Sequence, residues 1–312
     1  MTDDPPPPAA AEQPLLLHSL KLLDAEILAC LDAVGPSHII EIGSESGGFT
    51  AELASWAQTH DATLSSVDPA PAPRTRALAA SNPALQLVEG LSPAALEGLA
   101  PAQVYVIDGD HNYWTVRAEL QHAFGDVHVA DPLAVLHDVG WPCARRDQYY
   151  SPEAIPEAAR HEHVYHGGIV PGRSAVVDVG FSGGGNFAYA THEGGERNGV
   201  LTAVEDLLGE RQDLEYMSIA SVFGVGFVFP REAPWADEVR AVIRPLHDRP
   251  LLAALERNRM DLYVTVLQLQ ASLERHHVRS DRLIADWQER LGVLEAENAS
   301  LRLQEVQRAD QS

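Results

Sequence analysis

Cysteine is nearly absent from this chain: two residues in 312, Cys30 and Cys143, far apart and without CxxC spacing. That excludes a disulfide framework and a zinc knuckle, and it predicts a reducing, cytoplasmic setting. Basic residues are also scarce, 22 Lys and Arg against 45 Asp and Glu, for a formal net charge of -23. Such a surface disfavours a sequence-independent grip on nucleic acid or on an anionic membrane leaflet, so neither is expected as a partner. No apolar run is long enough to cross a bilayer. Met1-Thr-Asp-Asp followed by Pro5 to Pro8 lacks the basic and apolar regions of a signal peptide. The expectation is a soluble protein acting on a small molecule or a saccharide.

What the chain does have is alternation. Residues 1 to 13 are rich in Pro, Ala and acid and are expected to be disordered. Within 14 to 36, the spacing Leu16, Leu20, Leu23, Ile27, Leu31 predicts a helix stopped by Gly35-Pro36. Over 37 to 139 the pattern predicts strands at His38 to Ile42, Ala62 to Val67, Leu85 to Val88, Val104 to Ile107 and Leu133 to Leu136. Helices are predicted between them, near 48 to 59, 72 to 80, 92 to 99 and 113 to 124. Strict alternation of this kind means crossover units and a parallel, doubly wound α/β sheet. Residues 140 to 198 are dense in Gly, Pro, His, Arg and Tyr with little periodicity, which predicts a lid on the acceptor side. Residues 199 to 258 complete the core with a helix, an antiparallel hairpin (Leu214 to Ala220, Val222 to Phe229) and a further helix.

From about Arg259 to residue 312 a long Pro-free helix is predicted. Its apolar positions Leu262, Val266, Leu269, Leu273, then Leu283, Trp287, Leu291, Leu294 and Leu301, step mostly by three and four, with Asn298 at a seam position. This spacing suits a coiled coil and a homo-oligomer. A single helix lying on its own domain is the alternative.

The first strand ends in Glu41-Ile42-Gly43-Ser44-Glu45-Ser46-Gly47-Gly48. A strand, a glycine-bearing turn and a helix bring backbone close to a ligand at the carboxyl edge of a sheet. Glu-x-Gly-x-x-x-Gly is not the dinucleotide pattern, and Glu41 would set a carboxylate where a pyrophosphate should sit. Negative charge there suits the amino group and sulfonium of S-adenosylmethionine, with Gly43, Ser44 and Gly47 forming the turn. Asp68, ending Ser65-Ser66-Val67-Asp68, is placed to accept the ribose hydroxyls. Glu89 and Ser92, in Glu89-Gly90-Leu91-Ser92, are placed near the adenine. Across roughly residues 37 to 140 the sequence resembles the class I methyltransferases, and the first motif looks like their small-molecule O-methyltransferase branch.

The fourth strand ends in Asp108-Gly109-Asp110-His111-Asn112-Tyr113 and the fifth in His137-Asp138. Both ends lie at the sheet's carboxyl edge, so Asp108 and Asp138 can converge on one divalent cation. The other reading is helix capping, by Asp110 or Asn112 before Tyr113. Asp-Gly-Asp-His-x-Tyr is similar to a motif of the macrocin O-methyltransferase and cephalosporin-hydroxylase-like tailoring families. That resemblance implies that Asp108 binds Mg²⁺ and also meets the cofactor. It implies further that Asp138 and its neighbour complete the metal site and that His111 is the general base. Where those families commonly carry a carboxylate, this chain has His137, which either turns away or shifts the preference towards Mn²⁺, Fe²⁺ or Zn²⁺. The expected reaction is displacement at the sulfonium methyl by a deprotonated hydroxyl.

Arg145, Arg146, Tyr149 and Tyr150 follow the fifth strand directly and are expected to grip the acceptor. Two other readings remain open: a metal-independent C- or N-methyltransferase whose Arg145 and Arg146 hold an anionic substrate, and a catalytically inactive coiled-coil scaffold.

Overall fold

The structure, a computed structural model, describes residues 16–125 and 131–309. The segment expected to be disordered, residues 1 to 13, lies outside them. The chain divides into two units, residues 1–263 and 264–312.

The first unit is built on a seven-stranded sheet. In chain order its first strands are β1 (His38–Ile42), β2 (Thr63–Asp68), β3 (Leu85–Glu89), β4 (Val104–Ile107) and β5 (Leu133–His137), parallel to one another. Three short strands, β6 (Gln148–Tyr149), β7 (His163–Val164) and β8 (Ala188–Ala190), form a separate antiparallel sheet in the order β6-β8-β7. The hairpin of β9 (Leu214–Ile219) and β10 (Val225–Pro230) then returns to the main sheet, with β10 antiparallel to β5. The main-sheet order is β3-β2-β1-β4-β5-β10-β9. It reverses direction between β1 and β4, and the crevice outside the carboxyl ends of those strands is where such sheets bind ligands.

Helices cover both faces. α1 (Asp24–Val34), α2 (Gly48–Thr59), α3 (Pro73–Ser81) and α6 (Ala236–Ile243) pack on one, where Ile39, Leu64, Val106, Val135 and Phe227 point. α4 (Tyr113–Phe124) and α5 (Val200–Glu210) pack on the other, against Ile40, Tyr105, Leu136 and Val228. Successive strand residues point to opposite faces, so covering both faces requires the unbroken apolar runs that β4 and β5 show.

Four elements depart from the pattern read in the sequence. The N-terminal segment is not one helix: a 3-10 turn, Leu20–Leu23, precedes α1, and the Ser19 side chain accepts from the Lys21 amide at its start. Gly35, at φ 60, ends α1 as expected of a glycine C-cap. The helix predicted near 92 to 99 is only a 3-10 turn, Ala94–Leu96. The segment 140 to 198 is more ordered than its composition suggests, because the fully buried Arg146 donates to the carbonyls of Ala190 and Ser174 and so ties β8 to the loop around Ser174. Lastly, α7 starts at Pro250, well before Arg259, and runs to Ala309. Proline is tolerated in a helix's first turn because its missing N–H would be unpaired there anyway.

The second unit is the remainder of α7. Val266, Leu269, Leu273, Leu283, Ile284, Trp287, Leu291 and Leu294 are all exposed along it.

Candidate active site

The turn after β1 is shaped by what it must pass. Gly43 sits at φ +89, and a Cβ there would come within 2.1 Å of the Asp108 carbonyl oxygen. Its amide donates to Val67 O at 2.8 Å, while the Asp108 amide donates to Ile42 O at 2.8 Å. The glycine thus lets the ends of β1, β2 and β4 close on one another. Gly47, at φ 75, is the N-cap of α2. The Asp68 carboxylate ties the turn to β2: its Oδ2 accepts from the amide and hydroxyl of Ser44 (2.9 and 2.8 Å), and its Oδ1 from the Ala70 amide (2.8 Å).

Glu41 does not occupy the place its motif suggested. Its side chain is buried away from the cavity and accepts from Thr50 Oγ1 at 3.0 Å and Ser66 Oγ at 2.6 Å. Burial outweighs those hydrogen bonds and pushes its pKa up to about 7. It serves as a buried strut between β1, β2 and α2, because a strand residue of that parity points into the sheet's covered face rather than along its edge.

At the ends of β4 and β5, Asp108, His137 and Asp138 converge, with one potential ligand atom from each within 4.8 Å of the others. His137 Nδ1 lies 2.8 Å from Asp108 Oδ1 and 3.2 Å from Asp138 Oδ2. Its Nε2 lies 2.8 Å from Val222 O. A carbonyl oxygen can only accept, so Nε2 carries a proton and Nδ1 is the atom turned towards the two carboxylates. Burial acts to lower the His137 pKa, but the flanking Asp108 and Asp138 charges outweigh it and raise the value well above the ordinary one. Burial likewise acts to raise the Asp138 pKa, and the charges of His111 and His137 reverse that, bringing it to about 2. His111 Nδ1 stands 3.4 Å from Asp138 Oδ2, so one carboxylate oxygen is shared by two imidazoles.

The backbone here is strained. Asp138 has φ 59, and in the β9–β10 turn Val222 and Phe223 have φ 52 and 64. Asp tolerates the left-handed region; a β-branched residue there costs on the order of 1–3 kcal/mol.

These groups line one wall of a cavity of about 1040 Å³. That exceeds the usual range for one ligand, roughly 300–1,000 Å³, leaving space for a cofactor beside an acceptor. Gly43, Asp68, Ser92, Asp108, His111, His137 and Asp138 are all on its wall. Ser44 and Gly47 lie behind it, in the turn. Glu89 is turned outward, in an exposed ion pair with Arg76.

Of the four expected acceptor residues only Tyr150 lines the cavity. Arg145 pairs with Glu205 and donates to Thr202. Arg146 is spent on backbone carbonyls. Tyr149 is buried, donating to Asp147 Oδ2 at 2.7 Å. Neighbouring residues of a strand face opposite ways, so Tyr149 and Tyr150 could not both face the cavity. The helix cap is Asn112, whose side chain accepts from the Thr115 amide at 2.9 Å; Asp110 instead accepts from the Tyr150 amide at 3.0 Å.

The motifs did not reveal Trp114, Phe181, Phe187, Phe223 and Tyr263, which complete the wall. Trp114 had a readable signal, an aromatic three residues past His111 in the first turn of α4. The other four come from irregular or distant segments with no local pattern.

The strand order, the glycine turn and the acidic residues at the ends of β2, β4 and β5 thus meet at one cavity in the crevice of a doubly wound sheet. A family model described as a methyltransferase domain matches residues 40–139. That stretch runs from β1 to the end of β5, the parallel half of the doubly wound sheet. No curated protein matches the sequence. Among solved structures the chain is similar to the O-methyltransferase TomG from Streptomyces achromogenes, involved in tomaymycin synthesis and bound to S-adenosylmethionine. The identity is 14%, over 67% of this chain and 79% of that one, with a TM-score of 0.41. It is also similar to the O-methyltransferase from Bacillus cereus in complex with S-adenosylhomocysteine (14% identity, 69% and 83% coverage, TM-score 0.40). A third is a Podospora anserina methyltransferase bound to S-adenosylhomocysteine (13% identity, 66% and 77% coverage, TM-score 0.40).

Proposed function

We propose that this protein transfers the methyl group of S-adenosylmethionine to a hydroxyl of a small molecule bound at a divalent metal centre. The observation that carries this reading is the convergence of Asp108, His137 and Asp138 on the wall of the cavity that Asp68 also lines. Two carboxylates and an imidazole whose Nδ1 faces them fit a divalent ion. Oxygen-only sites suit Mg²⁺, and the imidazole moves the preference to Mn²⁺, Fe²⁺ or Zn²⁺. When bound, such an ion would lower the pKa of an acceptor hydroxyl.

The chain's own residues do the rest. Asp68 accepts the ribose hydroxyls, and Ser92 lies towards the adenine. The Ser44 amide and hydroxyl hold the Asp68 carboxylate in place for that contact. His111, on the same wall and oriented by Asp138, takes the acceptor's proton. Tyr150, Phe181, Phe187, Phe223 and Tyr263 give the acceptor side an aromatic lining, which favours a hydroxyl carried on an apolar or aromatic body; a sugar face stacked on the same rings is the alternative. The metal-independent reading with an anionic substrate loses its support, since Arg145 and Arg146 are engaged elsewhere. The exposed apolar stripe of α7 supports a homo-oligomer formed through that helix, and two buried free thiols suit a reducing cytoplasm.

The test is labelled-methyl transfer over phenolic, aliphatic and saccharide hydroxyl acceptors, with and without chelator. Phenolic products that vanish on chelation are expected. Cofactor binding without transfer to any hydroxyl acceptor would overturn the reading.

A further inference from the structure

The strained turn beside His137 has a support that lies outside every motif. Glu256, in the early turns of α7, accepts the Phe223 amide on Oε1 at 2.9 Å and the Val222 amide on Oε2 at 3.3 Å. Arg259, one turn further along, holds the same carboxylate through Nε (2.8 Å) and Nη2 (2.6 Å). Its guanidinium also lies 5.1 Å from the centre of the Phe223 ring, and its Nη1 donates to Leu17 O at 2.6 Å. Two consecutive turn amides thus aim at one carboxylate, an anion-binding arrangement of backbone N–H groups, and the residues that carry them, a valine and a phenylalanine, both have positive φ. The carbonyl that follows the first of these amides is Val222 O, the partner of His137 Nε2.

We propose that Glu256 is a positioning residue of the metal centre. It keeps Val222 and Phe223 left-handed, so that Val222 O holds the Nε2 proton of His137 and Nδ1 stays turned towards Asp108 and Asp138. Partners of this kind, one bond behind a metal-ligating histidine, fix its orientation and tautomer. Glu256 is not on the cavity wall, so it acts through the turn and not on a substrate. The strain supports this assignment: a turn with no task for Val222 O would relax, or would carry glycine at both positions, as the adjoining Gly224 does at φ 84.

The inference rests on the reading that the triad holds a divalent ion. Its test is Co²⁺ binding to the full-length protein, followed by calorimetry and by the visible spectrum of the bound ion. Glu256→Ala is expected to weaken Co²⁺ roughly 10- to 100-fold and to alter the spectrum. Affinity for S-adenosylhomocysteine should stay within about twofold, since Phe223, the residue of this turn on the cavity wall, belongs to the proposed acceptor side. Glu256→Gln, which keeps one acceptor oxygen, should fall between, and it serves if the alanine variant does not fold. Adding Val222→Gly, which accepts positive φ without strain, should restore much of the affinity to either variant; a merely structural charge pair would not be rescued. Unchanged Co²⁺ binding in both Glu256 variants, or a parallel loss of S-adenosylhomocysteine binding, overturns the inference alone. A wild-type protein that binds no Co²⁺ overturns the metal reading and this inference with it.

Discussion

His137 Nε2 lies 2.8 Å from the carbonyl oxygen of Val222, and this one contact decides which imidazole nitrogen faces Asp108 and Asp138. It turns a histidine that could have pointed away into a member of the acidic cluster. Replacing it by a carboxylate should therefore change which ion the site favours. His137→Asp is expected to raise the affinity for Mg²⁺ relative to Mn²⁺ by roughly tenfold or more, measured by competitive calorimetry, because an all-oxygen donor set suits the harder ion. An unchanged preference would mean that His137 is not a ligand.

Gly43 is required by close approach as well as by conformation. Gly43→Ala would set a methyl 2.1 Å from the Asp108 carbonyl oxygen in a left-handed backbone. The expected loss is roughly 3 kcal/mol or more of stability, read as a lowered denaturation midpoint. A near-native midpoint with intact cofactor binding would contradict the close packing of β1 and β4.

Glu41 predicts a pH dependence of stability. Its pKa rises on folding from 4.5 to about 7, chiefly through burial. Between those values the folded protein keeps a proton that the unfolded chain has released, so raising the pH through this window favours unfolding, and above it the effect levels off. Wild-type protein should lose up to roughly 3 kcal/mol relative to Glu41→Gln between about pH 4.5 and 7.5. Denaturant melts of both proteins across that range measure it; parallel curves would show that Glu41 ionises normally.

The second unit carries its own prediction. Leu291 and Leu294 lie on the exposed apolar stripe of α7. The double change Leu291→Asp and Leu294→Asp in the full chain should convert an oligomer to monomer in sedimentation, leaving cofactor affinity unchanged. A wild-type protein that already sediments as a monomer would remove the oligomer proposal.

Much of this architecture is legible in the sequence because it rests on local pattern. Strand boundaries from β1 to β5 follow from apolar runs bounded by glycine and acid, and the chemistry-bearing side chains stand at the ends of those runs. Asp108, His111, His137 and Asp138 line the cavity for that reason. The face a residue presents is harder to read. Glu41 has the right sequence neighbours but the parity of a buried position, and Arg145, Arg146 and Tyr149 sit in a segment without periodicity, where burial cannot be inferred from spacing. Glu256 and Phe223 are harder still, since they reach the site through contacts between elements distant in sequence.

Methyl transfer is proposed to depend on an ion held by Asp108, His137 and Asp138. The most direct measurement is the rate of labelled-methyl transfer by chelator-treated, full-length protein as Mn²⁺ is titrated back. A residual rate below roughly 1% of the maximum, recovery that saturates at one ion per chain, and no recovery in Asp108→Asn are expected. Transfer that continues undiminished in chelator, with Asp108→Asn as active as the wild type, would contradict it.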